Sequence, residues 1–305
     1  MVDILNKISS LRIATACATV SVSKKETILA IKNNEVPKGN VFEFARASGL
    51  LAIKKTADLI PDCHPLPIEK ASISYELLDS EIVIYVEVAT IYKTGVEVEA
   101  MHGASIVALT IYDMLKPIDK GVEIKNIKLL NKQGGKTSFI TTPNRDLQIA
   151  VIVCSDSVSQ QKKEDKAGKS IIAQLQRWQL HAKHYTILPD DIEPIQQEIK
   201  KLVAQKVNLI ILTGGTGLSK RDSTPQAIQP LLDVEIPGIM EHARNFGQAR
   251  TPYAMLSRGV AGMIGDTLII TLPGSTKGAE ESMQALFPYL LHIFDVTNGY
   301  QHISK

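Results

Sequence analysis

The pattern of apolar residues changes near the middle of the chain, and this change sets strong limits on the fold. Residues 71–77 and 81–92 alternate between apolar and polar side chains, which is typical of half-buried antiparallel strands. Three later runs are largely apolar without alternation, and helical segments separate them: residues 149–154, 207–213 and 267–272. Runs of this kind indicate strands that helices cover on both faces. We therefore predict an α+β domain followed by a three-layer α/β domain with a mainly parallel sheet.

The chain has 305 residues, which is enough for two domains with separate cores. We place the domains at residues 1–138 and 148–305, joined by a polar linker at residues 139–147. The 34 basic and 32 acidic residues give a net charge of only +2. This balance gives no reason to expect a nucleic-acid or membrane partner.

Features of secreted and membrane proteins are missing from the sequence. Its apolar runs are too short to span a bilayer, and its first twelve residues lack the apolar core of a signal peptide. The three cysteines form no CxxC pair, which gives little support to a zinc site or a disulfide. We expect a cytoplasmic protein.

Capping and breaking residues predict most of the remaining elements. Asn40 is a suitable N-cap for a helix over residues 41–53, and apolar residues at helical spacing predict a second helix over 101–115, before Pro117. A strand is expected at residues 122–130. In the second half we expect helices at 168–180, 192–204 and 279–293, and a strand at 183–188.

Lys38 and His64 are candidate ligands for an anionic substrate. Lys38 precedes the N-terminus of a predicted helix, where free N–H groups and the helix dipole favour an anion. The alternative is an ordinary solvated lysine. His64 lies between prolines on a rigid turn, so it is either a poised acid or base or a turn residue hydrogen-bonded to the backbone.

Two pairs of charged residues follow. Glu97 and Glu99 would share a face of a strand, where they could bind a guanine-like N–H edge or form a solvated strand edge. Asp113 and Lys116 lie on one side of a strongly apolar helix. A surface ion pair is the simplest interpretation, but a pair near a core is more often functional.

Several short blocks of the first half occur together and in a fixed order: Lys38-Gly39, LIPDCHPL (59–66), TGVEVEA (94–100), ALTIYDM (108–114) and GGK (134–136). These blocks resemble the signature of the MoaC family, the cyclic pyranopterin monophosphate synthases of molybdenum cofactor biosynthesis. The resemblance covers about residues 1–138. It implies a ferredoxin-like α+β domain that assembles as dimers within a hexamer.

The same resemblance implies a reaction and its site residues. The family converts a cyclic dihydroguanosine triphosphate into cyclic pyranopterin monophosphate with release of pyrophosphate, a lyase reaction that needs no cofactor. Asp113 and Lys116 would be the catalytic pair, and Lys38 would act with them. The Cys63-His64 and Glu97-Val98 positions would line the substrate pocket. Glu99 is a further candidate because a purine-derived ring needs carboxylate acceptors, and Lys54 adds positive charge that could equally serve the dipole of its helix.

The second half contains a glycine-rich turn after a buried strand, at residues 213–217. Glycines let backbone N–H groups converge on an oxyanion, although such a segment is often only a tight turn. Arg221 and Asp222, next to Ser223, suit a nucleotide phosphate with Mg²⁺, or they begin a capped helix. Asp190 could likewise bind a metal or cap a helix.

These residues belong to a larger set of blocks: SD (155–156), PD (189–190), TGGTG (213–217), RDSTP (221–225), EIPG (235–238), LSR (256–258) and PGS (273–275). The set resembles the molybdopterin-binding family that includes MogA and MoaB, over about residues 148–293. The resemblance implies a trimeric α/β domain that binds molybdopterin. Active members are transferases that adenylylate molybdopterin with Mg-ATP.

By this resemblance, Asp190 and Asp222 are the catalytic carboxylates that orient Mg²⁺. The implied phosphate-binding and pocket-lining positions are Gly214, Gly215, Thr216, Gly217, Arg221, Ser257, Arg258 and Ser275. A homo-oligomer arranged as a dimer of trimers, that is a hexamer, would satisfy both domains.

The loop at residues 159–168 departs from the family pattern. It lacks the usual glycines and carries added lysines, which could hold phosphate or be solvated. Two interpretations of the second half therefore stay open. It is an adenylyltransferase, or it is a non-catalytic molybdopterin carrier or assembly scaffold.

Overall fold

The computed structural model describes residues 1–135 and 146–297. The chain divides into two compact units, Met1–Phe139 and Ile140–Lys305. Residues 139–145 of the predicted linker lie outside the described ranges. Within those ranges, no helix is both long enough and apolar enough to cross a membrane.

The first unit contains a four-stranded antiparallel sheet in the order β2-β3-β1-β4. Its strands are β1 (Ser10–Ser21), β2 (Lys70–Leu77), β3 (Glu81–Tyr92) and β4 (Glu123–Gln133). Its helices are α1 (Lys25–Lys32), α2 (Val41–Lys54), α3 (Thr56–Leu59) and α4 (Glu97–Leu115). Apolar side chains of the sheet pack with those of α2 and α4 in one core, which explains the alternating strands.

Local interactions confirm several predicted elements of this unit. The Asn40 side chain accepts a hydrogen bond from the Glu43 N–H (3.1 Å) and so caps α2. Helix α4, however, begins at Glu97 and not at residue 101. The prediction that Glu97 and Glu99 share the face of a strand was therefore wrong, because residues two apart on a helix do not face each other.

A six-stranded sheet forms the centre of the second unit, in the order β6-β5-β7-β10-β9-β8. Its strands are β5 (Ile149–Cys154), β6 (Ala182–Leu188), β7 (Leu209–Thr213), β8 (Val234–Glu235), β9 (Ala261–Ile264) and β10 (Thr267–Leu272). The first four strands in this order are parallel, β9 is antiparallel to β10, and β8 is antiparallel to β9. The mainly parallel sheet is thus confirmed, but its antiparallel edge was not predicted.

Two apolar cores lie on the two faces of this sheet. Val151 belongs to one core and its neighbour Ile152 to the other, which explains why the strands are apolar without alternation. The covering helices are α5 (Asp156–Ser159), α6 (Ala167–Arg177), α7 (Ile192–Ala204), α8 (Thr224–Ile228), α9 (Pro237–Gln248), α10 (Thr276–Leu286) and α11 (Ile293–Val296). The helix predicted over 279–293 ends early, because Pro288 cannot continue it.

Candidate functional sites of the two units

Lys38, Asp113 and Lys116 come together in the first unit. The Nζ atom of Lys38 lies 2.6 Å from Oδ2 of Asp113, and that of Lys116 lies 2.7 Å from Oδ1. Lys38 also donates a hydrogen bond to the Asp113 carbonyl (2.9 Å). Each carboxylate oxygen is therefore bound to its own ammonium group. We call these three residues the lysine–aspartate cluster.

The cluster fixes the charge of its members. Hydrogen bonds from Lys116 and then Lys38 lower the pKa of Asp113 to about 2, and the carboxylate raises the pKa of Lys116. Asp113 is therefore an anion at neutral pH. Its side chain is 49% exposed, so of the two interpretations left open the pair is a surface ion pair and not a pair near the core. Lys38 binds Asp113, so it is not simply a solvated lysine before α2, and it lies beside the two residues with which the resemblance expects it to act.

Cys63 and Glu99 form a second, partly buried cluster. The Cys63 thiol donates to Oε1 of Glu99 (3.2 Å), and Glu99 is only 2% exposed. Burial raises the pKa of Glu99. Burial and then the Glu99 contact raise the pKa of Cys63 to about 11, so the thiol is protonated at neutral pH. The buried Oε2 atom of Glu99 has no hydrogen-bond partner among the described residues.

The other predicted substrate-binding residues of this unit differ in exposure. His64 is half-buried beside Cys63 in the sequence, Val98 is exposed in the first turn of α4, and Lys54 is exposed at the end of α2. Glu99 and Asp113 lie on one helix, fourteen residues apart, which corresponds to about 21 Å along its axis. One chain therefore does not bring the thiol–carboxylate cluster (Cys63 and Glu99) to the lysine–aspartate cluster.

Sequence reasoning missed a basic cavity of about 330 Å³ in this unit. Its charged lining residues are Lys7, Arg12, Lys93, Glu97 and Lys132. Lys132 forms an ion pair with Glu97 (3.2 Å). The four basic residues come from distant segments, so no local pattern could reveal them. The GG block at 134–135 was the available signal, because both glycines have positive φ and a side chain at either would overlap β1 atoms.

The second unit contains a cavity of about 860 Å³ beside the carboxyl ends of β5, β7 and β10. This edge is where open α/β sheets usually bind ligands. Six of the predicted site residues line the cavity: Asp190, Gly214, Gly215, Arg221, Asp222 and Ser275. The structure thus brings most of the predicted C-terminal site together.

The glycine turn and the two predicted catalytic carboxylates are close neighbours. Gly215 has a positive φ of 62°, and a Cβ there would overlap Oδ1 of Asp190. Asp190 is 7% exposed and accepts hydrogen bonds from the N–H and hydroxyl of Ser223 (both 3.3 Å). Burial raises the pKa of Asp190, and the charge of Asp222 adds to the effect. Asp222 accepts from the Ser219 N–H (2.7 Å).

Arg221 is bound to two carboxylates, one at the start of α5 and one just before α7. Its Nε atom donates to Oδ2 of Asp156 and its Nη2 atom to Oδ1, both at 3.0 Å. Its Nη1 atom lies 3.2 Å from Oδ1 of Asp191. The guanidinium therefore links its own loop to the starts of two helices.

Arg258 and Ser257 do not line the large cavity as predicted. The Arg258 guanidinium donates to the carbonyls of Gly217 (2.6 Å) and Asp222 (2.7 Å), and its N–H donates to the carbonyl of Thr216 (2.9 Å). Arg258 therefore stabilises the glycine turn through its carbonyl groups. Thr216 is buried. Ser257 lines a separate cavity of about 290 Å³, and Ser275 contributes to both cavities.

Comparisons with known proteins agree with this division. A family model described as the MoaC family matches residues 1–135, and one described as a probable molybdopterin binding domain matches residues 150–292. The chain is 37% identical to a molybdenum cofactor biosynthesis bifunctional protein from Chlorobaculum tepidum, over 99% of this chain and 96% of that protein.

Two further proteins each match one unit. A cyclic pyranopterin monophosphate synthase from Clostridium perfringens is 49% identical over 45% of this chain and 87% of its own length. A crystal structure of the molybdopterin biosynthesis enzyme MoaB from Thermus thermophilus is 38% identical, covers 50% of this chain and 97% of its own, and gives a TM-score of 0.48. From the two family models and the bifunctional relative, the chain belongs to the family of bifunctional molybdenum cofactor biosynthesis proteins, with a MoaC-family domain followed by a molybdopterin-binding domain.

Proposed function

We propose that the chain catalyses two separate steps of molybdenum cofactor biosynthesis. The first unit converts cyclic dihydroguanosine triphosphate into cyclic pyranopterin monophosphate and releases pyrophosphate. The second unit binds molybdopterin and adenylylates it with Mg-ATP. The names of the relatives support the first step directly, since matches to the first unit are called cyclic pyranopterin monophosphate synthase. Three free cysteines support a cytoplasmic location.

The lysine–aspartate cluster carries the proposal for the first unit. It holds an ionised carboxylate and two ammonium groups within 2.7 Å. A triphosphate would compete with Asp113 for these ammonium groups. As the contacts weaken, the pKa of Asp113 would rise from about 2 towards its usual value. Substrate binding would thereby turn Asp113 into a better proton acceptor while the lysines hold phosphate.

The topology of the first unit supports a ferredoxin-like fold. Its main elements follow the order β1, α2, β2, β3, α4, β4, which is the β-α-β-β-α-β arrangement of that fold. The strand order β2-β3-β1-β4 is antiparallel throughout, with β1 and β3 in the centre.

We also propose a homo-oligomer, a hexamer, as the active form. The two clusters at opposite ends of α4 are about 21 Å apart, so a site that uses both must combine two copies of the chain. Helices α2 and α4 also expose large apolar side chains. Phe44, Leu51 and Leu109 are each more than half exposed, which supports self-association.

The 860 Å³ cavity carries the proposal for the second unit. Its volume lies in the range of small-molecule sites, and its glycine turn packs against the carboxylates of Asp190 and Asp222. No group of three or more His, Cys, Asp or Glu side chains in the described ranges could hold a metal. Mg²⁺ needs fewer protein ligands than that, because one or two carboxylates together with phosphates and water usually bind it. Asp190 and Asp222 fit this mode.

Mg²⁺ would neutralise the triphosphate of ATP, and the protein would supply the positioning. Gly215 would offer its N–H group to a phosphate oxygen, whereas the N–H of Gly214 already donates to the carbonyl of Leu272 (3.1 Å). Asp190 is held by Ser223 and Thr224, so its carboxylate is oriented before any ligand binds.

Pyrophosphate release tests the second unit. The purified chain should release pyrophosphate from Mg-ATP only when molybdopterin is present, and Asp222→Asn should abolish release. Molybdopterin binding without release would contradict adenylyl transfer and leave the carrier or scaffold interpretation. For the first unit, the test is pterin formation by the cluster variants described in the Discussion.

A further inference from the structure

The charges around the large cavity do not suit a phosphate chain at first sight. The lining carboxylates are Asp156, Glu164, Asp165, Asp190 and Asp222, and the lining cations are Lys163, Lys166 and Arg221. Five acids therefore face three bases. A nucleotide phosphate needs cations that do not already form ion pairs with these acids. The three basic residues must therefore be considered one by one.

Arg221 is already engaged. It makes a bidentate contact with Asp156 and a further ion pair with Asp191. If Arg221 turned to a phosphate, Asp191 would lose its ion pair and Asp156 would keep only the hydrogen bond from the Asp190 N–H, next to a new negative charge. Arg221 would have to give up a bidentate contact and a second ion pair at the same time, so we expect it to stay with its carboxylates.

Lys163 and Lys166 are available instead. Neither forms an ion pair within 4.0 Å of an acid in the described part of the chain, and the nearby Glu164 is bound by Lys169 (2.7 Å). Both lysines are exposed, so their side chains can reach a ligand without leaving a partner.

The segment that carries them is fixed to the rest of the unit. At its start, the N–H of Lys163 donates to the carbonyl of Ser157 (3.1 Å). At its end, Asp165 is 6% exposed and accepts hydrogen bonds from the Gly168 N–H (2.9 Å) and the Tyr185 hydroxyl (2.5 Å). Tyr185 belongs to strand β6, so the segment is tied to the sheet.

We infer that Lys163 and Lys166 are the residues that recognise the phosphate chain of ATP in this cavity, and that Arg221 is a positioning residue. This inference rests on the proposed adenylyl transfer. Its physical basis is that the two lysines line the cavity on an anchored segment and are the lining cations without an acidic partner in the described ranges.

The test is the dissociation constant of Mg-ATP, measured by calorimetry on the full chain. In the double variant Lys163→Ala/Lys166→Ala, the constant should rise about tenfold or more, because charge-assisted hydrogen bonds are lost. Its dependence on salt should also become weaker. Lys162→Ala is the matched control, since Lys162 is an exposed neighbour that does not line the cavity. Its constant should stay within about twofold.

Two further variants keep the result interpretable. Lys163→Arg/Lys166→Arg keeps both charges and should restore most of the affinity. Lys116→Ala alters only the first unit and should leave Mg-ATP binding unchanged, which assigns the binding to the second unit. Equal affinity of the unaltered chain and the double alanine variant would overturn this inference alone. No binding of Mg-ATP by the unaltered chain would overturn both the inference and the adenylyl-transfer proposal.

Discussion

Asp113 shows how two neighbours can fix the state of an exposed carboxylate. Its side chain is about half exposed, yet two ammonium groups at 2.6 and 2.7 Å keep it ionised. An exposed ion pair of this kind adds little to stability. We therefore expect the ion pairs of Asp113 to matter for catalysis and hardly for stability. Mutation can separate these two effects.

Lys116→Ala and Asp113→Asn should each abolish pterin formation, by a factor of about a hundred or more, because each removes a charged group proposed to act on the substrate. Thermal unfolding should change by only a few degrees. Lys120→Ala, an exposed lysine of the same region, is the control for loss of charge. Near-normal turnover in either cluster variant would refute the site assignment.

Cys63 should react slowly with iodoacetamide at pH 8. Its pKa of about 11 lies well above the usual value near 8.5, so the reactive thiolate is more than about a hundredfold scarcer. Burial is the main cause, so Glu99→Gln should speed alkylation only in part. Mass spectrometry of the labelled chain at several pH values measures the rate. Alkylation as fast as that of a small free thiol would contradict this account.

At the scale of elements, Asp119 joins two turns of the first unit. It is 1% exposed and accepts hydrogen bonds from Ser23, Thr27 and the Gly121 N–H. Burial alone would raise its pKa, but these hydrogen bonds outweigh burial and lower the pKa to about 2. The ionised carboxylate therefore holds the start of α1 against the segment after α4.

Asp119→Asn should destabilise the first unit by about 2 kcal/mol or more at pH 7, because hydrogen bonds to a charge are lost. The folded pKa lies below the unfolded value near 3.9, so the contribution is present above about pH 4 and is lost as the pH falls towards 2. The difference in the free energy of unfolding between the variant and the unaltered chain should therefore shrink as the pH falls. Far-UV circular dichroism in urea measures it.

The matched control is Glu26→Gln, an exposed carboxylate on α1. The chain has one tryptophan, Trp178, which lies in the second unit, so its fluorescence should not change in either variant. A constant difference between Asp119→Asn and the unaltered chain from pH 7 to pH 2 would contradict the pKa argument.

The sequence predicted elements with a long, clear period and missed those without one. The strands 71–77 and 81–92 and helix 192–204 match the structure closely. The stretch VEVE at 96–99 resembles a strand because four residues cannot distinguish periods of 2 and 3.6. The pairing of β8 with β9 joins segments too short to show any period.

For the candidate sites too, the sequence could predict only residues that lie in local sequence patterns. Asp113, Asp190 and the glycine turn belong to local blocks, and Lys116 follows Asp113 at helical spacing, so the sequence could predict them as candidates. Arg12 and Lys132 meet in one cavity only because β1 and β4 are paired, and pairing between distant strands leaves no local signal. Arg258 was given the wrong role because its sequence block does not reveal which way its side chain points.

At the scale of the whole molecule, the lysine–aspartate cluster and the thiol–carboxylate cluster lie at opposite ends of α4. The reaction proposed for the first unit should need both of them. If each site combines the lysine–aspartate cluster of one chain with the thiol–carboxylate cluster of another, chains defective in different clusters can complement each other. In a random mixture, half of the contributing clusters of each kind are intact, so about a quarter of the sites are complete in any closed symmetric assembly.

Co-expression of Asp113→Asn chains with Glu99→Gln chains should therefore restore about a quarter of the normal rate of pterin formation, although each variant alone is inactive. Co-expression of Asp113→Asn with Lys116→Ala is the control. Both changes lie in the same cluster, so every site in that mixture lacks an intact copy and the rate should stay near zero. The mixture of Asp113→Asn and Glu99→Gln chains could also stay inactive although mixed oligomers form. That result would mean that no site combines clusters from two chains, and it would contradict the shared site.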